Sequence, residues 1–413
     1  MYITDNIPFA AAPARTAIIG AGIAGLTLAL CLRKQGGEPI LFETRSRDAL
    51  ISEGAFITLA PNAMNGLALL GLADAVAALG IDTIGLAFID ERGRDLGFAD
   101  QRDHAAVFGA PSVTISRGAL MGVLASACER AGIAIHYECR LRRIADLDDH
   151  VRVEWQEGQS CDVAWLAACD GLRSQTRALF FPEFPKPSFT GLIGTGGIAK
   201  VDHVAPTDGV MRMVFGHIGF FGYLKDKDGP VYWFNSYPAK KPHEGNQPSS
   251  YVGRLRALHR EDPPFIDEIL AGVPEVMRDY PVFSMPALPT WHRGLVVLVG
   301  DAAHAVGPHA GQGAAMAIED AVVLAACLGA GGDIPAAFAR FEALRRPRVE
   351  AVVKLTERNS SQKRATSRFD LLIRRIILRL FIPIGIKAGR KLFDYRVYDE
   401  ALRLTSATIE GRT

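Results

Sequence analysis

The 413 residues carry a formal net charge of +1, with 49% hydrophobic and 22% charged side chains. That balance excludes a disordered or collagen-like chain and gives no electrostatic reason to expect nucleic acid as a partner. The length exceeds one ordinary core and suits two interleaved domains with an appendage, enough to bury a large ligand. Six cysteines, Cys31, Cys128, Cys139, Cys161, Cys169 and Cys327, are widely spaced without any C-x-x-C pattern, so buried thiols in a reducing cytoplasm are expected. Met1 to Ala14 has no basic start or apolar run of signal-peptide length, and no later stretch reaches the roughly 18 uncharged apolar residues of a membrane span. A cytoplasmic protein is the expectation.

The first elements form a βαβ unit. Ala17 to Ile19 is a short apolar strand, Leu26 to Gln35 has helical periodicity stopped by Gly36 and Gly37, and Pro39 to Glu43 is a second strand. Between strand and helix lies Gly20-Ala21-Gly22-Ile23-Ala24-Gly25, where glycines allow a tight turn and close approach of the backbone to a pyrophosphate. The helix N-terminus then offers free N–H groups to the phosphates. Glu43, eighteen residues past Gly25, stands where an acid can accept from an adenosine ribose. Together these indicate a dinucleotide site without separating NAD from FAD.

Arg117 opens a helix over Gly118 to Arg130, followed by strands around Ala134 to Tyr137, Val151 to Gln156 and Cys161 to Cys169. Directly after the last comes Cys169-Asp170-Gly171-Leu172-Arg173-Ser174, with Arg177 beyond it. From Pro182 to about Met285 the texture turns aromatic and Gly-punctuated, as in an antiparallel sheet. Leu295 to Val299 returns to a buried strand and Gly311 to Leu328 to an Ala-rich helix, so the cofactor domain is discontinuous. At that return stands Val299-Gly300-Asp301-Ala302-Ala303-His304, then Pro308 and Gly311-Gln312-Gly313. Asp301 can take a ribityl hydroxyl and the glycine-rich helix start can meet flavin oxygens or phosphate, which selects FAD over NAD as the resident cofactor.

These three segments, with Pro61-Asn62-Ala63, Arg117 and Arg345-Arg346-Pro347-Arg348, resemble the single-component FAD-dependent aromatic hydroxylases, the group of para-hydroxybenzoate and salicylate hydroxylases. The resemblance implies an α/β fold: a Rossmann-type FAD-binding domain (1–75, 112–182 and 284–350), an interleaved antiparallel-sheet substrate domain (76–111 and 183–283) and C-terminal helices (351–413). It implies Glu43 at the adenosine ribose, Arg117 against the FAD, Asp301 at the ribityl or pyrophosphate portion, Asp170 and Gly171 in FAD and NAD(P)H handling, and Leu141 as an adenine backbone contact. Two departures stand out. Thr44 separates Glu43 from Arg45, which weakens Arg45 as a cofactor ligand, and Phe56 in Gly54-Ala55-Phe56-Ile57 replaces a common glycine, which suggests an altered pocket.

The implied activity is NAD(P)H- and O2-dependent hydroxylation of a small, largely aromatic substrate through a flavin C4a-hydroperoxide, with the hard chemistry carried by the cofactor. A reductase or halogenase on the same scaffold and a non-catalytic flavin-fold binder are the alternatives; Trp291-His292-Arg293 does not match the halogenase W-x-W-x-I-P. No second dinucleotide motif is present, so NADH or NADPH should bind transiently. By family position the Pro308 carbonyl should face the reacting side of the flavin, and His309 beside it could assist deprotonation or serve only as pocket wall. Metal binding by His304 and His309 is not expected, because Gly307 and Pro308 break the register.

Met211, Met213, Phe215, Phe221, Tyr223 and Phe234 are candidates to sandwich a planar ring, although each could simply be core. Arg212 is the sole arginine from Met211 to Tyr237, which favours a neutral or larger aromatic over a simple benzoate. Residues 354–392 hold eleven basic and two acidic side chains interleaved with Leu371, Leu372, Ile373, Ile376, Ile377, Leu380 and Phe381. We read this segment as a helix packed on the flavin domain with a solvated basic face, in preference to a membrane-surface contact.

Overall fold

The computed structural model describes residues 15–52, 54–156, 158–242, 251–273, 279–307, 311–361, 368–397 and 399. Short runs with no polar break, such as Thr16–Ile19 and Trp165–Ala168, are buried on both faces and pair in parallel. They sit centrally in a six-stranded sheet ordered His292–Arg293, Val296–Leu298, Trp165–Ala168, Thr16–Ile19, Pro39–Phe42 and Ala134–His136, parallel except for the first, edge pair. The helices Ile23–Lys34 and Gly313–Gly329 pack on each other beside it. Arg117–Arg130 begins at Ser116, whose hydroxyl accepts from Ala119 N at 3.1 Å.

The aromatic, Gly-punctuated region forms a seven-stranded sheet ordered Tyr280–Ser284, Ser188–Ala199, Val231–Pro238, Phe220–Lys225, Val210–Phe215, Gly85–Asp90 and Asp95–Asp100. It departs from the purely antiparallel expectation at one place, where Val210–Phe215 runs parallel to Gly85–Asp90. Those two strands are joined through the flavin-side sheet rather than by a hairpin, so nothing forces them to oppose. A three-stranded sheet of Phe56–Leu59, Val113–Ser116 and Ile81–Asp82 lies between the two large ones in the chain's path.

The helix Ile334–Ser361 packs on Gly313–Gly329. The last helix, Arg368–Phe393, meets the flavin domain only towards its end, where Leu392 joins the main core and its carbonyl accepts from Arg348; before that it docks on the strand Asp95–Asp100 of the seven-stranded sheet, and a run of apolar side chains faces solvent. Apolar residues at spacings of three and four announce an amphipathic helix but do not say which of two apolar sides is covered. Among the described residues no helix is long and apolar enough to cross a membrane. The six cysteines are free; Cys31, Cys128, Cys169 and Cys327 are buried, whereas Cys139 and Cys161 are half-buried.

One guanidinium ties the helical layer together. Arg345 is fully buried and donates from Nη2 to Glu319 Oε2 and from Nε to Asp320 Oδ1, both at 2.7 Å. Asp320 also accepts from Gly300 N at 2.9 Å and lies 2.6 Å from His304 Nε2. Burial alone would raise the Asp320 carboxyl, but His304 and Arg345 hold it below the usual range. A depressed folded value gives stability that is full above the ordinary carboxylate pKa of about 4 and is lost as pH falls through the lower folded value. Arg345→Met, which strands two buried carboxylates, should cost about 3–5 kcal/mol at neutral pH. Urea unfolding at about pH 7 and about pH 5 should show the deficit shrinking in acid, because the stranded carboxyls can then take up protons. A deficit independent of pH would argue that lost packing, not charge, is responsible.

Candidate active site

The first glycine-rich turn joins Thr16–Ile19 to the helix Ile23–Lys34. Gly20 has φ +97°, and a Cβ there would lie 2.5 Å from the Cys169 carbonyl oxygen. A Cβ on Gly25 would be driven into the Gly20 carbonyl. Both glycines are demanded by packing within the protein. Gly22 is different: a Cβ there would meet nothing nearer than the Cys169 oxygen at 4.0 Å, and no side chain caps the helix it begins. The open space and free N–H groups at this turn suit a pyrophosphate. Glu43 closes the turn from the second strand, accepting from Ala21 N at 2.9 Å. Its other oxygen accepts from Arg45 N at 3.0 Å and Arg45 Nε at 2.9 Å. Burial pushes this carboxyl up, and the Arg45 and Ala21 donors more than offset it. Despite the intervening Thr44, Arg45 is bonded to Glu43.

Gly300, at φ +61°, turns the chain from strand Val296–Leu298 into the short helix Asp301–His304. Asp301 is exposed to solvent although protein atoms crowd around its carboxyl. Burial, aided by Asp320, raises its carboxyl against the pull of His304 and Arg117. Arg117 therefore reaches Asp301 electrostatically from the start of its own helix. Its stem lies over Gly54, where a Cβ would come within 2.8 Å of Arg117 Cδ and where φ is +96°. The third segment is pinned beside the first by Cys169 N donating to Ile19 O at 2.8 Å. Arg177 joins it to the second, donating to Leu172 O and Ala302 O, each at 2.6 Å. Asp170 accepts from Thr176 N at 2.8 Å through one oxygen, while the other is buried without a partner, and burial raises this carboxyl.

A fourth contribution joins two motifs of the sequence, Pro61-Asn62-Ala63 and Gly311-Gln312-Gly313, whose contact their spacing did not announce. Asn62 Nδ2 donates to Glu319 Oε1 at 2.6 Å and to Gln312 Oε1 at 2.9 Å, which leaves Asn62 Oδ1 and Gln312 Nε2 buried and unpartnered. Gly311, at φ +61°, and Gly313 have nothing within 4 Å of a would-be Cβ. Orphaned polar atoms beside open glycines at the start of a 17-residue helix fit a bulky polar ligand such as FAD. Leu141 is buried at the head of strand Leu141–Leu147, opposite Trp155, so only its backbone could serve as the expected adenine contact. Pro308 and His309, the candidates for the reacting face, lie outside the described residues.

The pleat of the seven-stranded sheet divides the six candidate substrate residues. Met213, Phe215 and Phe234 share one face, where they cluster with Phe88, Leu96 and Phe220. Met211 alternates onto that same face. Phe56, on the flavin-side three-stranded sheet, meets Phe234 at 5.9 Å and Tyr232 at 5.6 Å between ring centroids, so this face looks toward the cofactor segments. Phe221 and Tyr223 do not belong with them, contrary to expectation. They point to the opposite face with Trp233, under the helices Tyr251–Leu258 and Phe265–Ala271. Phe221 stacks on Trp233 at 5.7 Å, as pure core. Phe56 and Tyr232, absent from the candidates, take their place; the unusual Phe56 was the available signal for the first.

Residues 14–356 match the family model described as an FAD binding domain. The chain is 31% identical over 367 residues to an aurachin C monooxygenase/isomerase of Stigmatella aurantiaca, covering 88% of this chain and 93% of that one. It is 29% identical to a 6-hydroxynicotinate 3-monooxygenase of Bordetella bronchiseptica, over 84% and 91% of the two chains. Among solved structures, Klebsiella pneumoniae HpxO complexed with FAD and uric acid superposes with a TM-score of 0.81 at 22% identity, covering 92% of this chain and 97% of its own. A salicylate hydroxylase substrate complex superposes with a TM-score of 0.76 at 21% identity, over 95% and 98%. The architecture is thus that of a known group, and the chain belongs to the FAD-dependent aromatic hydroxylase family as an FAD-dependent monooxygenase.

Proposed function

We propose that this monooxygenase uses NADH or NADPH and O2 to hydroxylate a neutral or extended aromatic molecule lying on the face formed by Met211, Met213, Phe234, Tyr232 and Phe56. The observation that carries this reading is the segregation of polar and apolar groups between the glycine-turn segments and the seven-stranded sheet. Asp301 and Arg117 lie together among the first, and the sheet face that meets Phe56 presents thioethers and rings. On that sheet Arg212 pairs across from Tyr223 on the outer face, and Lys225 is turned to the carbonyls of Val201 and Val204 at 2.7 Å. Neither is aimed to clamp a carboxylate, which supports a substrate without one. The names of relatives run the same way for aromatic character: hydroxynicotinate and aminohydroxybenzoate monooxygenases stand among them.

When bound, the FAD supplies oxygen activation and oxygen transfer. The residues of this chain hold and orient. Gly22 admits the pyrophosphate at a turn that Gly20 and Gly25 allow to pack, Glu43 receives the adenosine ribose, and Asp301 with the Gly311-Gln312-Gly313 helix start receives the ribityl chain and ring. Arg117 balances charge beside Asp301. The aromatic face aligns the substrate ring and excludes water, so no Ser-His-Asp set or carboxylate pair is required. The free thiols suit a reducing cytoplasm.

Purified protein should be yellow, and a phenol, quinolone or polycyclic aromatic should accelerate NADH or NADPH oxidation while gaining one oxygen atom. Acceleration that ends only in H2O2 would leave the substrate unidentified, and turnover without O2 would sink the monooxygenase reading. Phe234→Ala should raise KM several-fold and divert reducing equivalents to H2O2 with the fold intact. Phe221→Ala should instead cost about 3–5 kcal/mol of stability with KM unchanged, because it removes buried core on the other face. Asp301→Ala should weaken FAD retention at least about tenfold, the scale of losing one charge-assisted hydrogen bond. Fluorescence titration of the apoprotein reads that loss independently of turnover.

A further inference from the structure

The helix Arg368–Phe393 is fixed on its inner side. Leu378 and Ile382 are buried against Leu96, Phe215 and Phe220. Arg374 donates to the carbonyls of Phe215 at 3.0 Å and Gly216 at 2.8 Å and faces Glu91 at 3.6 Å. Arg375 faces Asp90 at 3.5 Å, and near the far end Arg390 makes a two-point contact with Asp103 at 2.7 and 3.0 Å. The rotation of the helix is therefore set, and what it shows to solvent is not incidental.

The outward side carries Ile373, Ile376, Ile377, Leu380, Phe381 and Ile384 at spacings of three and four residues, between 40% and 64% exposed. They are six of the fourteen large exposed hydrophobics among the described residues, so this is a patch rather than the usual scatter. From Ile373 to Lys391 the sequence has six basic residues and no acidic one. Arg379, Lys387 and Lys391 are exposed, with no carboxylate bridging them among the described residues.

We propose that this face is a docking surface for an anionic lipid bilayer, on which the helix lies in the plane of the interface. Isoleucine, leucine and phenylalanine reach the acyl boundary, and the flanking arginine and lysines meet the headgroups. A second copy of the chain fits the face less well, because a self-complementary contact would bring two like-charged basic borders together. The inner side of the helix shares a cluster with Met213, Phe215 and Phe234, so a docked helix stands between the lipid and the aromatic face.

Flotation of the FAD-loaded full chain with vesicles tests this. Vesicles containing about one third phosphatidylglycerol should carry the protein at least about tenfold better than phosphatidylcholine alone, and roughly 0.5 M NaCl should release it. Ile376→Asp/Leu380→Asp/Ile384→Asp should abolish flotation while absorbance of the flavin and the thermal midpoint stay unchanged, since all three side chains are exposed. Equal flotation of that variant, or equal binding to neutral vesicles, would overturn the proposal. So would absence of flotation together with a dimer in gel filtration that the variant dissolves, which would assign the face to a second copy.

Discussion

Arg345 lies where water does not reach and binds two buried carboxylates, Asp320 together with His304 and Glu319 together with Arg348 and Asn62. Asp320 in turn fixes Gly300 and His304, so the turn that presents Asp301 hangs on this guanidinium at one remove. Glu319 fixes Asn62, which holds Gln312 at the start of the long helix. Arg348 joins from one turn along, 3.1 Å from Glu319, and the Tyr395 ring covers both arginines at 5.1 and 4.8 Å. A buried ion cluster of this kind is weak evidence for net stability, because desolvation opposes the attraction. Its value is geometric: it connects segments some 250 residues apart in sequence through bonds with little freedom.

The same economy explains the glycines. Gly20 and Gly25 are needed so that the first strand, its helix and the Cys169 loop can touch, whereas Gly22, Gly311 and Gly313 answer to no neighbour in the protein. Packing constraints and ligand constraints are therefore separable residue by residue. Substituting the first pair disturbs the fold, while the second group leaves space that suits the cofactor.

The cofactor segments were legible because each is local: a strand, a turn needing glycine and an acid within one short stretch. The partners of Arg345 were not. Arg345-Arg346-Pro347-Arg348 could be noticed as a pattern, but nothing in spacing says that its first arginine reaches Glu319 and Asp320 on another helix. The sheet failed differently. Met213, Phe221, Tyr223 and Phe234 are all apolar residues on alternating strands, and only the pairing register tells which parity faces the cleft. Gly222 sits between Met213 and Phe234 across the strands and so puts Phe221 and Tyr223 behind the sheet. The last helix showed its periodicity in advance, yet its docking on Asp95–Asp100 depends on Arg374 finding the carbonyls of Phe215 and Gly216, a tertiary fact.

On the proposed reading, polarity limits what the aromatic face can recognise. A charged substituent placed on the aromatic face would lose its hydration without a partner from Arg212 or Lys225, both of which are turned elsewhere. Recognition must then rest on shape and apolar contact. Such contact separates neighbouring substrates by only about 1–3 kcal/mol per methylene, so discrimination among similar aromatics should be moderate. Phe56 sharpens it somewhat, because its ring already lies against Phe234 and Tyr232 and narrows the space between the two sheets. On the proposed reading the polar work is thereby left to the cofactor side, where Asp301 stands with Arg117.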